Sequence, residues 1–180
     1  MVSDFKKKKL LHVFNTFFDI DGSGNIEKDD FTAAIERITK TRGWKSGDEK
    51  YKYVEETLLK IWSGIQEVAD ANKDGQVSQD EWIAMWETFT TKPFEWQNLY
   101  CKFAFTIEDA SDDGSIDAEE FSSVYASFGL DKEEAVKAFQ KMAKGKTEVT
   151  WPEFQTLWKE YFTSEDVSAA GNYIFGKTSY

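Results

Sequence analysis

The sequence predicts an all-α fold made of four helix–loop–helix units arranged in two pairs. Two observations lead to this prediction. Apolar residues recur at the i, i+3, i+4 spacing of amphipathic helices in eight successive segments, and short acidic segments containing Gly separate the two helices of a unit. Only 2 Pro occur among 180 residues, and 16% of the residues are aromatic, so long helices and a large core are both possible.

The eight apolar faces follow one another along the chain, at residues 10–18, 31–38, 61–65, 82–89, 100–105, 121–128, 136–139 and 154–161. The polar segment 39–50, which contains two Gly, predicts a loop inside the first pair. Pro93 suits the first position of a helix, so the boundary between the pairs is placed just before it. The predicted organisation is an N-terminal pair at 1–90, a C-terminal pair at 91–162 and a tail at 163–180 that docks on the core.

Three of the four segments between helices share one spacing of oxygen-bearing residues. They span 19–30, 70–81 and 109–120, with oxygen side chains at positions 1, 3, 5 and 9, Gly at 6 and a carboxylate at 12. This is the spacing of the EF-hand calcium loop. One such match is also explained by a solvated acidic helix cap. Three matches, each between apolar helices in the same frame, favour metal sites.

The chemistry of Ca²⁺ explains this spacing, because a hard cation takes six to eight oxygens at about 2.3–2.6 Å. Gly at position 6 allows the sharp backbone bend, and position 7 offers its backbone carbonyl. Ile26, Val77 and Ile116 at position 8 face the core and are expected to pair across short two-stranded ladders between loops. The predicted ligands are Asp19, Asp21, Ser23, Asn25, Glu27 and Asp30; Asp70, Asn72, Asp74, Gln76, Ser78 and Glu81; and Asp109, Ser111, Asp113, Ser115, Asp117 and Glu120.

The fourth unit lacks this ligand chemistry. With Glu153 aligned at position 12, Lys144 and Lys146 replace the oxygens of positions 3 and 5, and Thr147 replaces Gly. The upstream helix fits better if the loop is about two residues shorter, and Lys residues remain in the loop in that alignment too. Because ammonium groups repel a cation, this unit is expected to pair through Val149 without binding an ion.

The first loop differs from the other two at position 12, where Asp30 stands in place of Glu. The shorter side chain predicts a tighter cage with fewer ligand oxygens. Mg²⁺ demands near-octahedral geometry at about 2.0–2.1 Å, so the first site is expected to tolerate Mg²⁺ best.

These features make the chain similar to the invertebrate sarcoplasmic calcium-binding proteins and calexcitins. The resemblance implies two EF-hand pairs packed as one compact globule, with a C-terminal segment near the interior, where Ile174 and Phe175 fit. It rests on three intact loops with a degenerate fourth, the segment 14–17, Asp30, the helix carrying Trp82 and Trp86, and the segment 171–176.

Composition restricts the other classes of function. A net charge of −11 opposes nucleic-acid binding, which needs a basic surface. The basic run at 6–9 is best interpreted as a solvated helix start rather than a membrane contact. No apolar stretch approaches the roughly 20 residues of a membrane helix, and no secretory signal is visible. A single cysteine, Cys101, fits a reducing compartment, so a cytoplasmic monomer without stable membrane insertion is expected.

The expected function is that of a calcium buffer or of a calexcitin-type neuronal signalling protein, with calcium ions as partners and a protein target if it is a sensor. Sensors open Met-rich grooves, whereas this chain has 3 Met and many rigid Phe and Trp, which favours a buffer. The resemblance to calexcitin favours signalling. No reactive constellation surrounds the single His12, so an enzyme is not predicted. The alternative is a calcium-triggered photoprotein-like oxygenase that holds a cofactor among its Trp residues.

Overall fold

The computed structural model describes residues 1–88 and 93–180. Within these residues the predicted all-α class is confirmed, and no helix has the length and apolar character needed to cross a bilayer. The helices are α1 (Asp4–Val13), α2 (Lys28–Arg42), α3 (Glu49–Ala69), α4 (Gln79–Glu87), α5 (Glu95–Glu108), α6 (Ala118–Ser127), α7 (Lys132–Ala143) and α8 (Trp151–Thr163), and the strands are β1 (Asn25–Ile26), β2 (Val77–Ser78), β3 (Ser115–Asp117) and β4 (Glu148–Thr150).

The strands form two antiparallel ladders, and each ladder joins two loops. Ile26 lies opposite Val77 in the first ladder, and Ile116 lies opposite Val149 in the second. All four side chains are fully buried, as expected for β-branched residues that pack on a pleated surface. The predicted pairing through position 8 is therefore confirmed, including the pairing of the degenerate fourth loop.

The contacts divide the chain into two units that differ from the predicted halves. One unit contains residues 1–2 and 11–100, and the other contains residues 3–10 and 101–180. The predicted boundary at 90 and 91, together with Phe89 of the fourth apolar face, lies outside the described residues. The observed division falls inside α5, because this helix continues without a break from Glu95 to Glu108 and contributes to both units.

The first unit has a core of closely packed aromatic rings. The ring of Phe18 lies 5.7 Å from that of Phe31 and 5.5 Å from that of Trp82, measured between centroids. Trp96, at the start of α5, lies 5.8 Å from Trp82. Gly64 in α3 permits this arrangement, because a Cβ atom at that position would lie 2.7 Å from the Cβ of Trp96.

In the second unit, the segment that follows α8 packs back on the helix. Ile174 and Phe175 are buried, and the ring of Phe175 lies 5.1 Å from that of Trp158 and 4.7 Å from that of Tyr161. The hydroxyl of Tyr125 donates a hydrogen bond of 2.7 Å to the carbonyl of Ile174. This segment therefore completes the apolar core of its unit.

Lys9 is fully buried in the second unit, although the basic run at 6–9 was predicted to be solvated. Its Nζ donates to the carbonyls of Tyr161 and Ser164 at 2.8 and 2.9 Å and to the Oδ1 of Asn172 at 2.9 Å. Burial lowers the pKa of Lys9 to about 8. The prediction was wrong at this residue because the segment after α8 covers this side of α1, while Lys7 and Lys8 are exposed.

Candidate metal centres

The predicted loops place their first ligand directly after a helical turn. A π-helical turn at Phe14–Phe18 leads into the first loop, and its last hydrogen bond joins the N–H of Asp19 to the carbonyl of Phe14 at 2.8 Å. The position-1 carboxylate accepts the N–H of the position-6 Gly at 2.9–3.0 Å in all three loops. Gly is needed there because φ is 84–89° at Gly24, Gly75 and Gly114.

The carboxylate at position 12 makes the same pair of hydrogen bonds in every predicted loop. One oxygen accepts the backbone N–H of position 3, and the other accepts that of position 9. This arrangement fixes the first turn of the following helix against the loop. The two distances are 3.2 and 2.8 Å at Asp30, 3.4 and 3.0 Å at Glu81, and 2.8 and 3.1 Å at Glu120.

The first loop is the most compact arrangement of acidic groups. Asp30 is one methylene shorter than Glu, yet it makes both hydrogen bonds, so the start of α2 must lie close to the loop. One oxygen from each of Asp19, Asp21 and Asp30 lies within 4.8 Å of the others. Asp19 and Asp30 are 5% and 2% exposed. Such a cluster of carboxylate oxygens has the geometry and charge to hold a small divalent cation.

The environments of these carboxyl groups differ. Burial raises the pKa of Asp30, and the charges of Asp21 and Asp19 raise it further. The backbone N–H of Ser23 lowers the pKa of Asp21, which is exposed. A bound divalent cation would offset both the burial of Asp30 and the repulsion among the three groups.

The second and third loops are more open to solvent. Their position-12 residues, Glu81 and Glu120, are half-buried, and Asp74 and Asp113 at position 5 are exposed. The pKa of Asp113 is lowered, mainly because its carboxylate accepts the backbone N–H of Ser115. These loops keep the same hydrogen-bond pattern as the first but place their acidic groups closer to water.

The fourth loop is shorter than the other three. α7 ends at Ala143, and the loop from Lys144 to Glu153 has ten residues instead of twelve, which agrees with the shorter of the two predicted alignments. The Nζ of Lys146 lies 2.8 Å from the Oε1 of Glu153. An ammonium group of the chain itself therefore contacts the carboxylate that aligns with position 12.

A side-chain contact between the first two loops was missed by the sequence analysis. The Nε2 of Gln76, at position 7 of the second loop, donates a hydrogen bond of 3.0 Å to the Oε2 of Glu27, at position 9 of the first. The loop spacing predicts a role only for the backbone carbonyl of Gln76. The signal was present in the expected pairing of Ile26 with Val77, because an antiparallel register then places residue 76 opposite residue 27.

Comparison with known proteins identifies the family. A family model described as EF hand matches residues 67–86 and 104–125. The sarcoplasmic calcium-binding proteins I, III and IV of Branchiostoma lanceolatum are 30% identical over 98% of this chain and 98% of theirs. The chain belongs to the sarcoplasmic calcium-binding protein family. Calexcitin-1 of Caenorhabditis elegans is 29% identical over 97% of this chain and 88% of its own, so the predicted resemblance is confirmed.

Solved structures agree with this family assignment. A sarcoplasmic calcium-binding protein from amphioxus is 28% identical, covers 98% of this chain and 99% of its own, and has a TM-score of 0.81. Calcium-loaded apo-aequorin from Aequorea victoria has a TM-score of 0.64 at 17% identity, covering 91% of this chain and 93% of its own. The likeness to apo-aequorin concerns the fold alone.

Proposed function

We propose that this chain is a cytoplasmic calcium buffer with three EF-hand sites, of which the first also accepts Mg²⁺. The observation that carries the proposal is the hydrogen-bond pattern repeated in three loops, in which position 12 is held by positions 3 and 9 while position 1 is held by the Gly at 6. In the first loop, the carboxylate oxygens of Asp19, Asp21 and Asp30 also lie within 4.8 Å of one another. The family relatives, named for calcium binding, support the same ion.

The donor sets fit Ca²⁺ chemically. Each loop offers carboxylate, hydroxyl or amide oxygens at positions 1, 3, 5, 9 and 12 together with the backbone carbonyl of position 7, and such hard oxygen ligands suit Ca²⁺ and Mg²⁺. In the first loop the buried carboxylates of Asp19 and Asp30 receive hydrogen bonds from backbone N–H groups and the hydroxyl of Ser23. These neutral donors leave the negative charge of the cluster uncancelled, which favours a cation.

The proposed stoichiometry of three follows from the shortened fourth loop. With two residues fewer, it has less backbone with which to surround an ion, and Lys146 brings a positive charge to Glu153. The proposed Mg²⁺ tolerance of the first site follows from Asp30, whose short side chain requires α2 to approach the loop and so favours the smaller ion.

A buffer is proposed over a sensor because of the composition of the core. Met85 and Met142 are buried, and the largest fully buried side chains of the described residues are mostly Phe, Trp and Tyr. A calcium-dependent target surface is better served by adaptable Met side chains. The calexcitin-type signalling role remains the competing outcome, and it would require a protein target.

Isothermal titration with Ca²⁺, with and without millimolar Mg²⁺, tests the proposed sites. The expected result is three Ca²⁺ per chain, with the binding to one site weakened most by Mg²⁺. Parallel titration with a hydrophobic dye tests the proposed role: unchanged dye fluorescence supports a buffer, whereas a Ca²⁺-dependent increase would identify a sensor. Two or four bound ions would contradict the assignment of the loops.

A further inference from the structure

We propose that the side chain of Gln76 is a positioning residue for the first metal site, and that it makes the affinity of this site depend on the occupancy of the second. The inference rests on the proposed function. It starts from the hydrogen bond of 3.0 Å that Gln76 Nε2 donates to Glu27 Oε2 between two loops of one unit.

Glu27 is the position-9 ligand for which positioning matters most. Position 9 is occupied by the shorter Ser78 in the second loop and by Asp117 in the third. A free Glu side chain loses conformational freedom when it is fixed, and this loss weakens ion binding. The amide of Gln76 holds the Oε2 atom of Glu27 before any ion arrives.

Gln76 is suited to position the carboxylate of Glu27 because its own side chain is neutral. An Arg or Lys at this position would attract Glu27 more strongly but would cancel the charge that the ion needs. An amide donor fixes the carboxylate and leaves its charge intact. The half-buried position of both residues limits competition from water.

The backbone of Gln76 supplies the connection to the second site. Its carbonyl is the predicted position-7 ligand of that site, and its N–H donates to the Oδ1 of Asp74 at 2.9 Å. The adjacent Val77 is paired with Ile26, one residue before Glu27. An ion in the second loop therefore fixes the main chain from which the Gln76 amide reaches Glu27, and the coupling acts equally in the opposite direction.

The test uses Gln76→Ala, which retains the backbone carbonyl and so leaves the second site intact. Gln79→Ala is the matched control, because the Nε2 of Gln79 donates at 3.2 Å to Asn15, which is not a predicted ligand. NMR signals of the Gly24, Gly75 and Gly114 amides report each loop separately, since each amide is bonded to the position-1 carboxylate of its own loop.

We expect Gln76→Ala to bind three Ca²⁺ with about threefold to tenfold weaker affinity at the first site, as for the loss of one ordinary hydrogen bond. Gln76→Glu should weaken this site further by repelling Glu27, and Gln79→Ala should change it less than twofold. In a Glu81→Gln background, which disables the second site, the effect of Gln76→Ala should shrink.

An effect of Gln76→Ala below twofold, or one equal to that of Gln79→Ala, would overturn the inference while leaving the three proposed sites in place. An effect that stays the same in the Glu81→Gln background would overturn the coupling. If the Gly24 signal of the unmodified chain does not respond to Ca²⁺, the proposed function fails at the first loop, and this inference fails with it.

Discussion

The Nζ of Lys146 and the Oε1 of Glu153 are 2.8 Å apart, so the degenerate loop contains its own positive charge beside the carboxylate that aligns with a metal ligand. The loop still forms its ladder with β3, and the hydroxyl of Ser115 donates to the Oε2 of Glu148 across it at 2.9 Å. The fourth loop thus pairs with the third through its backbone and through the side chain of Glu148.

Replacement of Lys146 by Met tests whether this charge alone keeps the fourth loop from binding an ion. We expect Lys146→Met to bind three Ca²⁺ as before, because the shortened loop also lacks ligand oxygens. Stability should change by less than about 0.5–1 kcal/mol, since the ion pair is exposed. Calorimetric titration and urea unfolding measure both quantities. A fourth bound ion would show that the missing residues do not prevent binding.

Replacement of Glu120 by Gln tests the position-12 assignment in the third loop. Glu120→Gln keeps the size of the side chain but removes the charge that would clamp the ion, so one Ca²⁺ of three should be lost. The matched control is Glu119→Gln, because the exposed Glu119 binds Lys132 and Ser123 instead. Calorimetry should give two ions for the first variant and three for the second. Equal behaviour of the two variants would show that the loop register is wrong.

The selectivity of the first site should change when Asp30 is lengthened. In Asp30→Glu both carboxylate oxygens can reach an ion without drawing α2 inward, which favours the larger Ca²⁺ and a seventh ligand that Mg²⁺ does not use. Competition titrations should show that Mg²⁺ weakens Ca²⁺ binding at this site less than in the unmodified chain. If the effect of Mg²⁺ is unchanged, a water molecule fills the gap left by Asp30 and cage size is not the determinant.

Removal of the Lys9 ammonium should destabilise the second unit and change its pH dependence. Lys9→Met leaves the carbonyls of Tyr161 and Ser164 and the Oδ1 of Asn172 without this donor, at a cost of about 1–3 kcal/mol at pH 7. The pKa of Lys9 is about 8 in the fold and 10.5 in its ordinary state, so the unfolded chain binds more protons between these values. Its contribution to stability therefore rises with pH across that window.

Denaturant unfolding of both chains from pH 7 to 10.5 checks this prediction. The difference in free energy of unfolding between the unmodified chain and Lys9→Met should grow above pH 8. Burial raises the pKa of Cys101 to about 12, so the contribution of this thiol to stability falls with rising pH. Both chains contain Cys101, and its contribution therefore cancels in the difference. A difference that does not vary with pH would show that the ammonium is not desolvated.

Gly64 should not tolerate a side chain. Gly64→Ala places a Cβ 2.7 Å from the Cβ of Trp96, and this overlap should cost about 1–3 kcal/mol, reduced by the higher helix propensity of Ala. Ser63→Ala, an adjacent and exposed position in α3, serves as the control. Thermal unfolding should show a lower melting temperature only for Gly64→Ala. Equal stability of the two variants would mean that α3 and Trp96 separate without cost.

The geometry of the candidate loops was largely predictable because their residues act locally. Ligand spacing, the Gly at position 6 and the apolar residue at position 8 all lie within twelve residues, and pairing of Ile26 with Val77 follows from them. The surroundings of Lys9 were not predictable, because its partners Tyr161, Ser164 and Asn172 are distant in sequence. Residues 6–9 are all Lys, and no local sequence pattern distinguishes the buried Lys9 from its neighbours.

The division inside α5 was also not visible in the sequence. Pro93 predicts where a helix begins, and the segment before it has the composition of a linker. Each residue of this continuous helix belongs instead to the unit whose side chains it packs against. The ring of Trp96 lies 5.8 Å from that of Trp82 in the first unit, whereas the ring of Phe105 lies 5.3 Å from that of Phe154 in the second. Such long-range choices depend on the packing of side chains from distant segments.

The burial of Lys9 also sets an order for the folding of a newly made chain. Residues 3–10 are the first of the second unit to be synthesised, yet Asn172 lies 163 residues further on. At about 5–20 residues per second, the ribosome needs on the order of 10–30 s to make that stretch. Throughout this time Lys9 has to keep its water shell, and residues 11–100 can reach their own packing first. Closing of the second unit around the N-terminal segment is therefore a late step, which waits for the synthesis of residue 172.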